Sequence, residues 1–113
     1  MRGHLPGAAR ADKAVWTGTL ALDLLLGDVR SLKEKRTVIR PVVAELRRRF
    51  AVAAAETGYL DRYRRAEVGV AVVAADRAHC VEVLEACERL VMDRPDLQVL
   101  SAQVRLSTPD DAG

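Results

Sequence analysis

Four cations on one stretch of the chain carry the most evident chemistry. Lys33, Arg36, Arg40 and Arg47 follow one another at helical spacing. At about 100° per residue they fall on one narrow stripe of a helix. Residues 30–49 hold eight Lys or Arg against Glu34 and Glu45, a formal +6 in a chain whose total is +2. A row of cations along a helix neutralises phosphates and releases their counterions, which gives affinity without base specificity. Arg62, Tyr63, Arg64 and Arg65 extend such a surface if the fold brings them near. The plainer account is a solvated helix face whose long stems cover apolar neighbours.

Other chemistry is sparser. Asp23 and Glu67 are two carboxylates that adjacent strands would present together, as a Mg²⁺ site or an acid–base pair requires. The blander reading partners each with an arginine or a backbone donor, and Arg105 is the partner expected for Asp23. His79 falls near a helix start, with no nucleophile or metal cluster nearby in sequence, so a structural histidine is the simpler account. Cys80 and Cys87 are seven apart in a helical pattern. They then lie about 10 Å apart along one face, too far for a disulfide between them. They read as small core hydrophobes in a reducing compartment. No phosphate-cradling glycine loop, metal-ligand spacing or catalytic triad spacing occurs, so neither cofactor nor metal is expected.

The elements that position these residues follow from periodicity. Ser31 and Glu34 form a capping box: the Ser31 hydroxyl accepts from the Glu34 N–H, and the Glu34 carboxylate reaches back to the Ser31 N–H. A helix is predicted over 32–49, with Leu32, Ile39, Val42, Val43, Leu46 and Phe50 on its apolar stripe. Pro41 removes the N–H owed to the Thr37 carbonyl, which predicts a kink or a split into two helices. Alternation predicts a first strand over 16–26, with Leu20, Leu22 and Leu24 on one face. Residues 51–56, alanine-rich, are predicted as a second strand, with a loop over 57–63. A third strand is predicted over 64–75, burying Ala66, Val68, Val70 and Val72. Asp76 caps a second helix over 77–92, whose stripe is Cys80, Val83, Leu84, Cys87, Leu90 and Val91. The fourth strand is predicted over 97–106, with Leu100, Ala102, Val104 and Leu106 on one face. Residues 1–14, including His4, read as a disordered tail, and the chain from 107 to 113 as a polar, frayed one.

This β-α-β-β-α-β order predicts an α+β fold. Two helices with one apolar stripe each cover one face of a four-stranded antiparallel sheet, the ferredoxin-like arrangement, over residues 15–106. The Leu and Val faces of strands one, three and four are expected beneath the helices. The open face keeps small and mixed residues. It lacks the aromatics with which an RNA-recognition-motif sheet stacks bases, so RNA contact is expected through the first helix and the loop. A flat face of this kind also suits a second copy of the chain, and an edge strand can pair with its twin.

The totals agree with one globular domain. A chain of 113 residues, half apolar and 30% charged, is of ordinary composition. With aromatics confined to Trp16, Phe50, Tyr59 and Tyr63, its core must be built from Leu, Val and Ala. No apolar stretch approaches the roughly 18 residues of a membrane span, and the first fourteen residues do not read as a secretion signal. A cytoplasmic location without membrane contact is the expectation.

Three stretches taken together resemble the YlxP-like family of bacterial proteins, domain-of-unknown-function family 503. They are Ser31-Leu32-Lys33-Glu34-Lys35-Arg36, Arg65-Ala66-Glu67-Val68-Gly69-Val70-Ala71 and Asp76-Arg77-Ala78-His79, with Leu22-Asp23-Leu24 ahead of the first. The resemblance spans about residues 16–106 and implies the same ferredoxin-like fold. It implies no activity, since none is established for the family. Members tend to be encoded among translation-initiation and ribosome-maturation genes. The alanine-rich second strand, Pro41 and the long N-terminal tail depart from the family pattern without touching the three motifs.

The function expected from these readings is a non-enzymatic cytoplasmic accessory protein that touches RNA or the ribosome through the first helix. The alternative is a homodimeric protein-interaction module built on the open sheet face. An enzyme using Asp23, Glu67 and His79 is the third and weakest reading.

Overall fold

The computed structural model describes residues 15–112; the expected tail over 1–14 lies outside them. The chain forms β1 (Trp16–Leu26), α1 (Leu32–Arg49), β2 (Ala53–Gly58), β3 (Arg65–Ala74), α2 (Arg77–Met92) and β4 (Leu97–Ser107). The four strands make one antiparallel sheet in the order β2-β3-β1-β4. With the two helices on one side, this is the α+β ferredoxin-like arrangement that the periodicity predicts.

Alternation decides which residues enter the core. Leu20, Leu22, Leu24 and Leu26 of β1 and Ala66, Val68, Val70 and Val72 of β3 are buried. Ile39, Val42, Val43 and Leu46 of α1 and Cys80, Leu84, Cys87 and Val91 of α2 close over them. Gly18 lets α2 settle onto β1. A Cβ there would stand 2.9 Å from Leu84 Cδ1 and 3.1 Å from Leu106 Cδ2, closer than side chains pack. Both helix starts are fixed by side chains. Ser31 Oγ accepts from the Glu34 N–H at 3.1 Å and Asp76 Oδ1 from the His79 N–H at 2.8 Å. Helix α1 runs unsplit through Pro41, which sits on its exposed side.

Glu34 Oε1 accepts from the N–H of Arg30, at 3.0 Å, rather than from that of Ser31. Strand β2 begins at Ala53 and reaches Gly58, where 51–56 was predicted. The chain uses residues 50–52 to turn: the Phe50 N–H bonds the Leu46 carbonyl and the Val52 N–H the Phe50 carbonyl. Pairing therefore starts only where Ala53 meets Ala71. A register shift at the far end draws Thr57 and Gly58 into the strand. Strand β3 is one residue shorter at each end than predicted. Strand β4 includes Ser107, and a 3₁₀ turn over Pro109–Ala112 follows where a frayed tail was expected.

Strand β4 departs furthest from the expected burial. Its apolar row was expected beneath the helices, yet Ala102 is exposed, Leu100 is 43% and Val104 48% exposed, and only Leu106 is half-buried. β4 is an edge strand, and a bulge at Leu100, opposite the Asp23–Leu24 step, breaks its alternation. Two helices over four strands leave this outer row bare.

Cys80 and Cys87 are free and buried. Burial pushes the Cys87 thiol up to about 11. It also raises that of Cys80, with Asp76 adding to the shift. Both thiols therefore stay protonated and shielded at pH 8, where thiol reagents need an accessible thiolate. A disulfide-exchange reagent should titrate neither cysteine in the native protein and both after denaturation; rapid native labelling would contradict this packing.

Candidate nucleic-acid interface

Helix α1 presents its cations unevenly. Lys33, Arg36 and Arg40 are exposed and, with Thr37, line a shallow groove of about 320 Å³. Among the described residues, none of these three cations makes a hydrogen bond or ion pair with another side chain. Most of the remaining cations in and around the helix are engaged. Arg30 pairs with Asp28. Arg48, Arg49 and Arg94 converge on Glu45 at 3.8, 3.5 and 3.3 Å.

Arg47 leaves the row. Its Nε donates to the carbonyl of Ala54 at 3.0 Å, because the C-terminal half of α1 lies against β2. The four-residue ridge thus becomes a triad of free cations and a tether to the edge strand.

The loop after β2 divides in the same way. Arg64 Nε donates to the carbonyls of Leu26 (3.2 Å) and Gly27 (2.8 Å), tying the loop to the end of β1. Arg65 grips Asp23, with its NH2 nitrogen 2.8 and 2.7 Å from the two carboxylate oxygens. It also donates to the Tyr59 hydroxyl at 3.0 Å and lies 4.5 Å from that ring's centroid. The Asp23 hydrogen bond, opposed in part by burial, raises the Arg65 pKa further. Arg64 and Arg65 thus hold partners within the fold, and Arg64 stays exposed with only its Nε engaged. Arg62 rests 5.9 Å from the Tyr59 ring, and Tyr63 is 49% exposed; these two remain available at the surface.

Lys35 joins the loop to the helix. It is 2% exposed, the only buried charged residue among those described. Its Nζ lies 2.7 Å from Glu56 Oε2 and donates to the Tyr59 carbonyl at 2.7 Å. The same carbonyl accepts from the Arg62 N–H at 3.0 Å. Tyr59 has φ +57°, the left-handed region that non-glycine residues adopt only when their surroundings hold them there. The first turns of α1 and the loop carrying Arg62 and Tyr63 therefore share one end of the sheet, locked together by one ammonium group. Lys35 sits in the charge run and escapes notice as a cation among cations. Its phase gives it away: it lies four residues before Ile39 and seven before Val42, in the middle of the apolar stripe.

The carboxylates are already partnered. Asp23 and Glu67 stand directly opposite on β1 and β3. Asp23 belongs to Arg65, and Glu67 Oε1 accepts from Thr57 Oγ1 at 2.7 Å. Arg105, the partner expected for Asp23, registers opposite Thr19 and plays no such part. His79 is exposed at the start of α2, with Nδ1 3.8 Å from Glu82 Oε1. It stands on the helical side of the sheet and at the opposite end from Asp23, so the sheet separates it from both carboxylates. Asp76 caps the helix beside it and Arg77 is exposed. Among the described residues no group of three His, Cys, Asp or Glu comes together as a metal site would. The open face itself is a broad depression of about 620 Å³, lined by small residues such as Ala21, Ala55, Gly69 and Ala71, with no aromatic among them.

The family described as "Protein of unknown function (DUF503)" matches residues 17–104. The chain is similar to "Uncharacterized protein YlxP" of Bacillus subtilis (strain 168), at 27% identity over 81 residues, which cover 72% of this chain and 88% of that protein. Among the described residues no helix is long and apolar enough to cross a membrane.

Removing one partner of a buried ion pair leaves the other charge uncompensated. Lys35→Ala should therefore lower the unfolding free energy by about 3 kcal/mol, the lower end of the usual range because Glu56 keeps some solvent contact. Lys35→Met with Glu56→Leu should recover most of that loss. Urea denaturation of the three proteins checks both expectations.

Proposed function

The chain belongs to the DUF503 family, whose description assigns no activity, and within it we propose a non-enzymatic cytoplasmic accessory protein that contacts RNA or the ribosome through α1. One observation carries the reading: Lys33, Arg36 and Arg40 are exposed, in a row and uncompensated, beside cations that are otherwise mostly paired. Like charges at this spacing repel by a few tenths of a kcal/mol per pair. Lys33 also lies in the first turn, where the helix dipole disfavours a cation. The row is thus mildly destabilising in isolation and is relieved by a polyanion laid along it. Arg62 and Tyr63, at the same end of the fold, add a cation and a ring on which an unpaired base stacks. The residues that could do catalysis support the non-enzymatic half of the reading: Asp23 and Glu67 hold structural partners, and His79 lies across the sheet from both.

Contacts of this type are salt-sensitive. Three neutralised phosphates give a slope of about −2 to −3 in log affinity against log salt. Co-sedimentation with ribosomal particles should show association at low salt that falls away as salt rises. A variant with Lys33, Arg36 and Arg40 changed to Glu should stay folded by circular dichroism and lose that association. Binding that is insensitive to salt, or equal in the folded variant, would refute phosphate contact through α1.

A further inference from the structure

We propose that β4 is the dimerisation edge of this protein, pairing antiparallel with β4 of a second copy about a two-fold axis through Val104. The two edges of the sheet are built differently. β2 is six residues long, carries a register shift at Thr57, and has its Ala54 carbonyl already taken by Arg47. β4 is eleven residues long and bears one charge, Arg105. It lacks the lysines, prolines and inward charges that ordinarily protect an edge strand from pairing.

The regular part of β4 is self-complementary. Beyond the bulge at Leu100, Ser101–Ser107 pairs without interruption with β1. Ala102, Val104 and Leu106 register opposite Leu22, Leu20 and Gly18 and so point to the helical side, where Ala102 and Val104 lie exposed. Ser101, Gln103, Arg105 and Ser107 point to the open face. A two-fold axis through Val104 sets Val104 against itself and Ala102 against Leu106 of the second copy, so apolar meets apolar on the helical side. On the open face Gln103 meets Arg105 of the second copy, a neutral acceptor beside a cation, and no like charges are opposed. The row that two helices leave bare in one copy is then flanked by its own twin, and the free backbone groups of the edge become ladder hydrogen bonds. The occupant is a second copy because the strand matches itself in both polarity rows.

Sedimentation equilibrium of the full chain should give a mass rising with concentration to twice 12.4 kDa. Val104→Lys, which opposes two like charges on the axis, and Gln103→Arg, which opposes cations across it, should each weaken the dimer at least about tenfold. Gln103→Glu should tighten it. Val104→Cys should form a disulfide-linked dimer on mild oxidation, and Ser101→Cys should not. All three positions changed are surface positions on a preformed strand, so circular dichroism should be unaltered. A monomer at every concentration up to about 1 mM would overturn the proposal. So would a dimer that Val104→Lys and Gln103→Arg leave equally tight, or crosslinking at 101 in place of 104.

Discussion

The ammonium group of Lys35 is the constraint on which the rest of this small fold depends. Burying a lysine costs several kcal/mol unless its charge is answered at close range. Here Glu56 and the Tyr59 carbonyl both answer it at 2.7 Å. Those two partners lie in the second half of β2 and in the loop that follows, more than twenty residues along the chain from Lys35. One side chain thus fixes where the loop sits against the first turn of α1, holds Tyr59 in a left-handed conformation, and sets the ring on which Arg65 stacks. Arg65 in turn binds Asp23 on the neighbouring strand. The chain of contacts runs from the helical layer, past the β2–β3 connection, to the open face of the sheet. No larger aromatic core is available to fix these parts against one another.

That network also sorts the cations. A basic sequence gives a basic protein, but the fold decides which charges remain free. Arg47, Arg64 and Arg65 spend their donors on backbone carbonyls and on Asp23, and Glu45 gathers three more arginines on one carboxylate. What remains unpaired in α1 is the triad Lys33, Arg36 and Arg40. The distinction between structural and free cations lies in tertiary reach, and the net charge of the segment does not contain it.

The sequence made the helices legible because their starts are local events. Ser31 and Asp76 bind backbone groups three residues away, and the apolar stripes need only the next few turns. Strands β1 and β3 were readable for a similar reason, since strict alternation over ten residues admits one register. β2 was misplaced by two residues because alanine carries little strand signal and its start is set by where β3 offers a partner. The exposure of β4 was invisible, since it depends on how far two helices extend over four strands. Of the candidate site, the Lys33–Arg36–Arg40 row was readable from spacing. The departure of Arg47 and the pairing of Arg65 with Asp23 were not, because both rest on contacts between residues distant in sequence. Lys35 was legible in principle: a lysine at the centre of an apolar stripe requires a buried anion, and Glu56 is the one provided.

The contact of Arg47 with Ala54 limits growth as well as shape. A sheet that can extend at both edges polymerises, since each added molecule exposes a fresh edge to the next. Here the β2 margin is short, irregular and partly occupied by a guanidinium, which disfavours addition at that side. A molecule with a single receptive margin accepts one neighbour and then terminates. If β4 pairs as proposed, the arginine that left the basic row disfavours the second addition that a fibril needs.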